Sequence, residues 1–502
     1  MRRDRVKNIF IRIFLWLLAL FPLLLGAISA FIYFFNYPSN KLFAFIITLI
    51  IFMGLMLLLA SKLQIEKHDS LILVSLFFLT IILRYISQNL IDTQPTADYL
   101  NALKIAEKFA EGFYPEVRSA RFPYWGFYKL TLSLFLNVFD HPFDFTKYLN
   151  LVLSGITTIG VYFLGKASSG TRKLALASAI IYIFFPGDIL YKNMPTGEHI
   201  FIMLLPFAVL LFNYSLNERE GNWIKLLLFT FLGGLLGLMD LYRPVALILL
   251  IAFMLSIVFF KILATQQDKH FFKNRHFWQN LLMILLIFIG FFSVKAIGFY
   301  ALRKKTGYEP NRSGIGWTLR IGLDVQNGGI WNRATYDQMI ALYEKYEENY
   351  QEVNHILFKD TKEILKENRS EIFGFFVQKF STTWKSTYDF FHWATVARSE
   401  NGIISSSTEK LGTIILPLLD MYWLFILIFS CIGAVYCAEY QRGIIPFLLG
   451  LFIIGLGMML LITETQQRYL SVLHSSLPIM TSYGLLGFSK LMKDLFNHIR
   501  SL

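Results

Sequence analysis

Apolar stretches of about 20 residues recur along almost the whole chain, separated by short polar connections. Each is long enough to cross a hydrocarbon core of roughly 30 Å as a helix rising 1.5 Å per residue. None alternates in the way that strands of a membrane barrel require. The pattern predicts an all-α polytopic membrane protein with about 12 transmembrane helices. These are expected at about 10–35, 41–61, 70–91, 147–165, 174–193, 198–216, 224–240, 244–262, 278–299, 412–436, 444–462 and 469–489.

Lysine and arginine are concentrated in alternate connections, which sets the expected orientation because positively charged short loops stay in the cytoplasm. Both termini are therefore predicted to be cytoplasmic in a multi-pass protein of the cell membrane. The basic start MRRDRVKNIF resembles a signal sequence, but the following apolar run is too long and is taken as a retained span. The basic segments are 1–8, 62–67, 166–173, 217–225, 261–275 and the tail beyond 489.

The connections on the opposite face carry the ionisable residues. They include 92–124, which is predicted to contain an amphipathic helix, and 300–411, predicted to be a small extracytoplasmic domain with helices from about 334 to 392. The chain then divides into an N-terminal transmembrane module, 1–299, this domain, and C-terminal helices, 412–502. Residues 125–139 are apolar but short, so we interpret them as re-entrant or interfacial and leave a full crossing open.

Composition supports lipid as the solvent: 55% of residues are hydrophobic, 16% are charged and the mean hydropathy is +0.51. The formal net charge of +13 does not indicate nucleic acid, because the basic residues lie beside apolar runs rather than in a patch with interleaved aromatic residues. The two cysteines, Cys431 and Cys437, fit no metal-ligand spacing.

Two carboxylates, Asp92 and Asp98, lie just beyond the third predicted span. Asp98 is placed to cap the helix that runs to about Glu111, which is a purely structural role. A carboxylate at the membrane surface near a helix N-terminus can also take a proton from an attacking hydroxyl. The sequence leaves both roles open.

This loop resembles the first outer loop of GT-C glycosyltransferases, and is similar to that of the bacterial protein mannosyltransferase and aminoarabinose transferase families. The matching residues are Asp98-Tyr99, Ala106, Gly112 and the segment RFPYWGFY at 121–128. Two departures are that many members have Asp-Glu where this chain has Asp98-Tyr99, and that two additional spans precede the loop.

Three later segments resemble the same family in order and spacing. Glu198 opens a span after an outer turn, Arg243 lies between Asp240 and Pro244, and Glu464 precedes Arg468 before the last span. The structural alternative for each arginine is snorkelling or an ion pair with its neighbouring carboxylate. The functional alternative is capture of a lipid phosphate by a bidentate guanidinium.

The outer domain contains the sequence GLDVQNGGIW, with Asp324 and Gly328-Gly329, which resembles a loop of Gram-positive members but is also explained by an Asn/Gly turn. Trp317 and Trp331 are candidates for stacking on sugar rings. Trp384 and Trp393 are better explained as membrane-interface residues. His199 and His474 are additional donors, although a lone histidine is more often structural.

The resemblance implies an inverting glycosyltransferase that moves a sugar from a polyprenyl-phosphate donor to a glycan, lipid or protein acceptor at the outer face of the membrane. Asp98 would be the general base, Arg243 and Arg468 would bind the donor phosphate, and Glu198 would orient the acceptor or an arginine. No cofactor or metal is expected, although a divalent metal stays open. The alternative is a polysaccharide polymerase or a lipid-linked-sugar flippase or transporter. The remaining supporting residues are Asp240, Glu464, Asp92 and Tyr99.

Overall fold

The computed structural model describes residues 20–36, 41–61, 69–91, 93–136, 142–217, 223–262, 275–312, 314–395, 406–440 and 443–501. Within these ranges every regular element is helical. The N-terminal helices are α1 (Leu20–Asn36), α2 (Lys41–Ala60), α3 (Asp69–Leu90), α4 (Ala97–Glu111), α5 (Val117–Arg121), α6 (Pro123–Leu136), α7 (Pro142–Ser169), α8 (Arg172–Ile183), α9 (Pro186–Tyr191), α10 (Glu198–Asn217), α11 (Trp223–Tyr242) and α12 (Ala246–Ile257).

A π turn, Val258–Ile262, follows α12, and a 3₁₀ helix, Gln467–Leu473, precedes the last helix. The remaining helices are α13 (Arg275–Thr306), α14 (Ile315–Gly322), α15 (Arg333–Lys345), α16 (Tyr350–Glu367), α17 (Ile372–Trp384), α18 (Tyr388–Thr395), α19 (Ser406–Glu439), α20 (Ile444–Ile462) and α21 (Leu477–Ser501).

The multi-pass helical prediction is confirmed, but the number of crossings is not. By length and composition, eight described helices could cross a membrane: α2, α3, α7, α10, α11, α13, α19 and α20. Two further apolar helices, Leu20–Asn36 and Ala246–Ile262, are shorter. The predicted spans 174–193 and 469–489 are both broken, the first into α8 and α9 and the second into the 3₁₀ helix and α21.

The first break has a local cause. Pro186 lacks a backbone N–H and cannot continue a helix from α8, but it fits the first turn of a new one. It starts α9, and Phe185 before it is extended, with φ −71° and ψ 104°. The surrounding side chains are buried inside the bundle, where irregular backbone at membrane depth is tolerated.

Glycines bring two helix pairs into backbone contact. A methyl group at Gly233 of α11 would lie 2.1 Å from the carbonyl oxygen of Ile287 in α13, and one at Gly484 of α21 would lie 1.7 Å from that of Phe429 in α19. Because hydrophobic burial does not drive association within lipid, close packing of small residues is the main attraction between such helices.

The polar helices α14–α16 follow α13 and pack around a small apolar core made of Met339, Tyr343, Val353 and Leu357. The predicted helical region from 334 is confirmed, and α14 is a further helix that precedes it. An ion pair between Arg121 and Glu348, with Nε and Oε2 2.9 Å apart, attaches these helices to the end of α5.

Candidate functional site

A cavity of about 860 Å³ lies where α4, α6, α10, the end of α11, the α20–α21 connection and the polar helices meet. Its walls combine aromatic rings with charged groups of both signs, as expected for a site that binds and orients a ligand. The lining residues are Ala97, Asp98, Tyr99, Leu100, Asn101, Lys104, Arg118, Phe122, Tyr124, Trp125, Lys129, Thr196, Glu198, Arg243, Trp317, Trp331, Arg333, Tyr336, Trp393, Glu464, Gln466, Arg468 and Tyr469.

Six of the residues predicted from sequence line this one cavity. They come from separate segments of the chain and are Asp98, Tyr99, Glu198, Arg243, Glu464 and Arg468. Two other predicted residues are not placed there. Asp240 forms an ion pair with Lys295, whose Nζ lies 2.6 Å from its Oδ2. Asp92 lies outside the described residues.

Asp98 occupies the first turn of α4, where the helix dipole favours a negative charge. The position that precedes the helix is Thr96, and neither Thr96 nor Asp98 caps it through a side chain, so the capping role considered for Asp98 is not seen. Ala97 has a φ of +48°, an uncommon conformation for a residue with a β-carbon. Such strain is often found beside functional groups. The helix ends at Gly112, the glycine singled out in the motif.

The carboxylate of Asp98 is half exposed and accepts a hydrogen bond of 2.5 Å from Arg118 through Oδ1. Arg118 was not identified from the sequence. This contact holds the carboxylate in one orientation, while Oδ2 accepts from no residue in the part of the chain that the structure describes.

Arg243 is paired with Glu198 rather than with Asp240. Its Nη1 lies 3.1 Å from Oε1 of Glu198, and its guanidinium lies 4.4 Å from the ring centre of Tyr469. Glu198 also accepts from the hydroxyls of Tyr191 and Ser471 through Oε2. The pair is therefore a preorganised unit at the cavity wall.

The backbone N–H of Arg468 donates to Asp389 at 3.2 Å, but its guanidinium contacts no carboxylate among the described residues. Its Nη1 donates to the hydroxyl of Tyr99 at 2.5 Å, and its guanidinium lies over the ring of Trp393 at 5.0 Å. Its Nε is buried without a hydrogen-bond acceptor in the same residues. Glu464, the partner considered from sequence, instead accepts from Gln466 and from Tyr469.

The three cavity carboxylates differ in the acceptor capacity they retain. Both oxygens of Glu198 and both oxygens of Glu464 are occupied by donors. Asp98 alone among them keeps an oxygen without a donor in the described structure. Burial raises the pKa of Tyr124 to about 12, so this hydroxyl keeps its proton and does not add a negative charge to the cavity. Asp98 is therefore the carboxylate best placed to accept a proton.

A buried charged floor adjoins the cavity residue Glu198, and of its members the sequence indicated only His199 and His474, as additional donors. We define the floor as Arg84, Asp188, Lys192, His199 and His474, whose side chains are fully buried. The carboxylate of Asp188 accepts a hydrogen bond from Nη2 of Arg84 at 2.8 Å and contacts Nδ1 of His474 at 3.2 Å. Next to it, Nζ of Lys192 lies 3.1 Å from Nδ1 of His199. Arg84 could have revealed this cluster from the sequence, because an ionisable residue inside an apolar run requires a buried partner.

The GLDVQNGG loop is joined to the connection that carries Arg468. Thr465 donates its backbone N–H to the carbonyl of Gly329 at 2.7 Å, and its hydroxyl donates to that of Gly328 at 3.1 Å. Nζ of Lys379 donates to the carbonyl oxygen of Gly322 in the loop and to that of Thr463 in the connection, so it joins the two segments. We call this set of contacts the loop clasp.

Asp324 fixes the conformation of the same loop. Its Oδ2 accepts from Asn327 at 3.0 Å and from Asn332 at 3.3 Å. Gly328 and Gly329 have φ values of +64° and +68°, which a side chain would oppose. The Asn/Gly turn expected from sequence is thus present, and it supports the Arg468 segment.

No group of three or more histidine, cysteine, aspartate or glutamate side chains that could hold a metal ion occurs among the described residues. Asp92 falls outside them, and the expectation that no metal is needed stays a prediction.

Known proteins were compared with the chain at three levels. No family model matches it, and no curated protein matches it significantly. Solved structures of the archaeal oligosaccharyltransferase AglB from Archaeoglobus fulgidus do match. The complex with an inhibitory peptide and a dolichol-phosphate has 12% identity and a TM-score of 0.45, covering 87% of this chain and 52% of that one.

Two further matches are crystal structures of the Archaeoglobus fulgidus oligosaccharyltransferase. The apo form has 13% identity and a TM-score of 0.47, covering 87% of this chain and 52% of its own. The complex with Zn and sulfate has 13% identity and a TM-score of 0.42, with coverages of 83% and 49%. This chain spans about half the length of these proteins. They are oligosaccharyltransferases, and so glycosyltransferases, the class of enzyme that the sequence motifs resemble.

Proposed function

We propose that the chain is a GT-C-type membrane glycosyltransferase that moves a sugar from a polyprenyl-phosphate carrier to an acceptor hydroxyl or amine at the outer face of the cell membrane. The observation that carries the proposal is Arg468. Its guanidinium lines the cavity and has no carboxylate partner among the described residues, while Asp98 lines the same cavity with a free oxygen.

A partly buried guanidinium that contacts no carboxylate favours the binding of an anion, because removing a charge from water without a close partner is costly. Nη1 of Arg468 is engaged by Tyr99 and its Nε is buried, so Nη2 is the guanidinium nitrogen left for a ligand. A hydrogen bond from a charged N–H group to a phosphate oxygen is among the strong ones. Arg243 supplies a second positive charge, and Glu198 contacts its guanidinium through Nη1 only.

The identity of the anion follows from its surroundings. The cavity is reached at the ends of apolar helices that could cross a membrane, namely α10 and α11, so a ligand anchored in the bilayer by a long prenyl chain can present its phosphate there. The aromatic rings of Trp393 and Tyr469 beside the arginines provide apolar contact without competing for the charge.

The proposed reaction is a single displacement. The acceptor oxygen or nitrogen attacks the anomeric carbon of the donor sugar, and the bond from that carbon to the phosphate oxygen breaks. Asp98 takes the proton that the acceptor loses, and the polyprenyl phosphate leaves with the bonding electron pair, stabilised by Arg243 and Arg468. One displacement inverts the configuration at the anomeric carbon.

Purified protein with a radiolabelled polyprenyl-phosphate sugar tests the proposal. We expect binding of the donor and release of labelled sugar to an acceptor or slowly to water, in detergent and without a second membrane compartment. A protein that only moves labelled donor across sealed vesicles, with no cleavage of the sugar–phosphate bond, is a flippase or transporter and contradicts the proposal.

A further inference from the structure

The polar helices contribute a continuous aromatic surface to the cavity. We define the aromatic wall as Trp317, Trp331 and Tyr336. The ring centres of Trp317 and Tyr336 are 6.1 Å apart, and those of Trp331 and Tyr336 are 6.0 Å apart. Trp331 is 45% exposed, which is a large apolar area to leave in contact with water.

The wall is held rigidly by the elements behind it. Asn332, next to Trp331, caps α15 by accepting from the backbone N–H of Thr335 at 2.9 Å, and it donates to Asp324. Gly316, next to Trp317, donates its backbone N–H to Asn354 at 3.0 Å. A rigid aromatic surface loses little entropy when a ligand binds.

The polar atoms of the wall are free to bind a ligand. Across the described ranges, the indole N–H groups of Trp317 and Trp331 and the hydroxyl of Tyr336 have no protein partner. Each ring thus combines an apolar face with an unoccupied hydrogen-bonding group. A pyranose ring has the complementary construction, since its C–H groups lie on its faces and its hydroxyls at its edge.

A membrane-interface role does not explain the wall. Interfacial tryptophans flank spans, as Trp223 does at the start of α11. Trp317 and Trp331 belong to the segment around α14 and α15, neither of which is among the helices that could cross a membrane. The donor keeps its prenyl chain in the bilayer, so a ligand at the wall arrives from the water side.

We propose that the aromatic wall binds a saccharide chain that serves as the acceptor, so that the enzyme extends or decorates a glycan. This inference rests on the proposed function, because it assigns the second substrate of the same cavity. Stacking on Trp331 would orient the chain so that one hydroxyl reaches Asp98.

The test is a glycan-array screen of the full chain in detergent, with Trp331→Ala, Trp331→Phe and the matched control Trp223→Ala, which removes another exposed tryptophan. We expect the wild-type protein to bind at least one glycan class, with affinity reduced about tenfold in Trp331→Ala. Trp331→Phe keeps a ring and should retain most of the affinity, and Trp223→Ala should bind as the wild type does. Binding of no glycan, or equal binding by Trp331→Ala, overturns the inference.

Donor binding separates the acceptor from the donor sugar. Trp331→Ala should bind a polyprenyl-phosphate sugar with unchanged affinity, and an equal loss there would assign the wall to the donor instead. Failure of the proposed function has a different signature: glycans would still bind through Trp331, while the wild-type protein would bind no polyprenyl-phosphate sugar.

Discussion

The guanidinium of Arg468 donates a hydrogen bond of 2.5 Å to the hydroxyl of Tyr99, although the two residues are 369 positions apart in the chain. Tyr99 directly follows Asp98 in the first turn of α4. The group proposed to hold the phosphate and the group proposed to take the proton are therefore tied to each other through one side chain. A shift of the Arg468 segment would move both.

Replacing Asp98 by Asn should abolish transfer while donor binding persists, because the amide keeps the size of the carboxylate but cannot accept the proton. General-base catalysis contributes roughly 10²- to 10⁴-fold, so kcat should fall by about that factor. Sugar transfer and donor affinity should be measured on the same preparation.

The control for this variant is Glu111→Gln, which removes an exposed carboxylate from the other end of the same helix. It should transfer sugar at the wild-type rate. If Asp92→Asn is inactive and Asp98→Asn is active, the base has been assigned to the wrong carboxylate.

Replacing Arg468 by Lys keeps the charge but removes the planar guanidinium, which bonds Tyr99 through one nitrogen while a second is left for the phosphate. Donor affinity should fall by about tenfold to a hundredfold, since a hydrogen bond to a charged group contributes roughly 1.5–3 kcal/mol. Arg243→Lys should have the same sign of effect. Titration of a polyprenyl-phosphate sugar in nanodiscs measures it, with the exposed Arg303→Lys as control. Unchanged affinity in both variants would falsify the phosphate-binding role.

Asp240→Asn should lower the thermal stability without changing donor affinity. The substitution leaves Lys295 without its charged partner at the α11–α13 contact; breaking a fully buried pair costs about 3–5 kcal/mol, and the cost here should be smaller because Lys295 is partly exposed. Thermal unfolding in detergent and donor titration together distinguish this outcome. A loss of donor affinity at unchanged stability would show that Asp240 contributes to substrate binding, as the sequence predicted.

The sequence predicts the site residues that have a local signal in the chain, but not the partners that these residues contact. Asp98, Glu198, Arg243 and Arg468 were identified because each lies at the end of an apolar run, and helix ends on one face of a bundle meet. The partners were not identified in this way: Arg243 pairs with Glu198, 45 positions away in the chain, instead of with the neighbouring Asp240. Sequence proximity suggested the wrong partner because side-chain contacts are set by helix packing.

Not every one of the 12 predicted crossings corresponds to a single unbroken helix, for a related reason. Mean hydropathy does not register the interruption at Pro186 or the 3₁₀ helix before α21, because the interrupted segments are still largely apolar. Asp188 and His474 therefore fell inside predicted spans, where their pairing could be read only from the fold. The helices themselves were found because apolar runs of this length have few alternative structures.

The loop clasp predicts a dependence of stability on pH. Burial lowers the pKa of Lys379 from 10.5 to about 7, so the folded protein gives up this proton more easily than the unfolded chain does. The contribution of Lys379 to stability is thus greatest above the unfolded pKa and is lost as the pH falls to about 7. The Tm of the wild type should rise relative to that of Lys379→Met between pH 7 and pH 10.

An exposed lysine, Lys493, provides the matched control, and Lys493→Met should show no such pH-dependent difference. A Tm difference between the wild type and Lys379→Met that shrinks toward pH 10 would mean that the clasp depends on the charged ammonium.

The orientation in the membrane can be tested by labelling with an impermeant thiol reagent. Cys431 and Cys437 are buried, so the background should be low. A cysteine in place of Ala341 of α15 should be labelled from outside, and one in place of Lys493 only after permeabilisation. The reverse pattern would invert the topology and place the cavity on the cytoplasmic side.

The charged floor also has a consequence for the medium in which the protein works. Dissolved ions weaken interactions between exposed charges beyond a Debye length of about 8–10 Å, but they do not enter a packed interior. Arg84, Asp188 and Lys192 are inaccessible to solvent, so their field beside the cavity changes little as salinity changes. The surface pair of Arg118 and Asp98 does not share this protection. The floor therefore gives the site an electrostatic setting that changes little with the salt content of the medium.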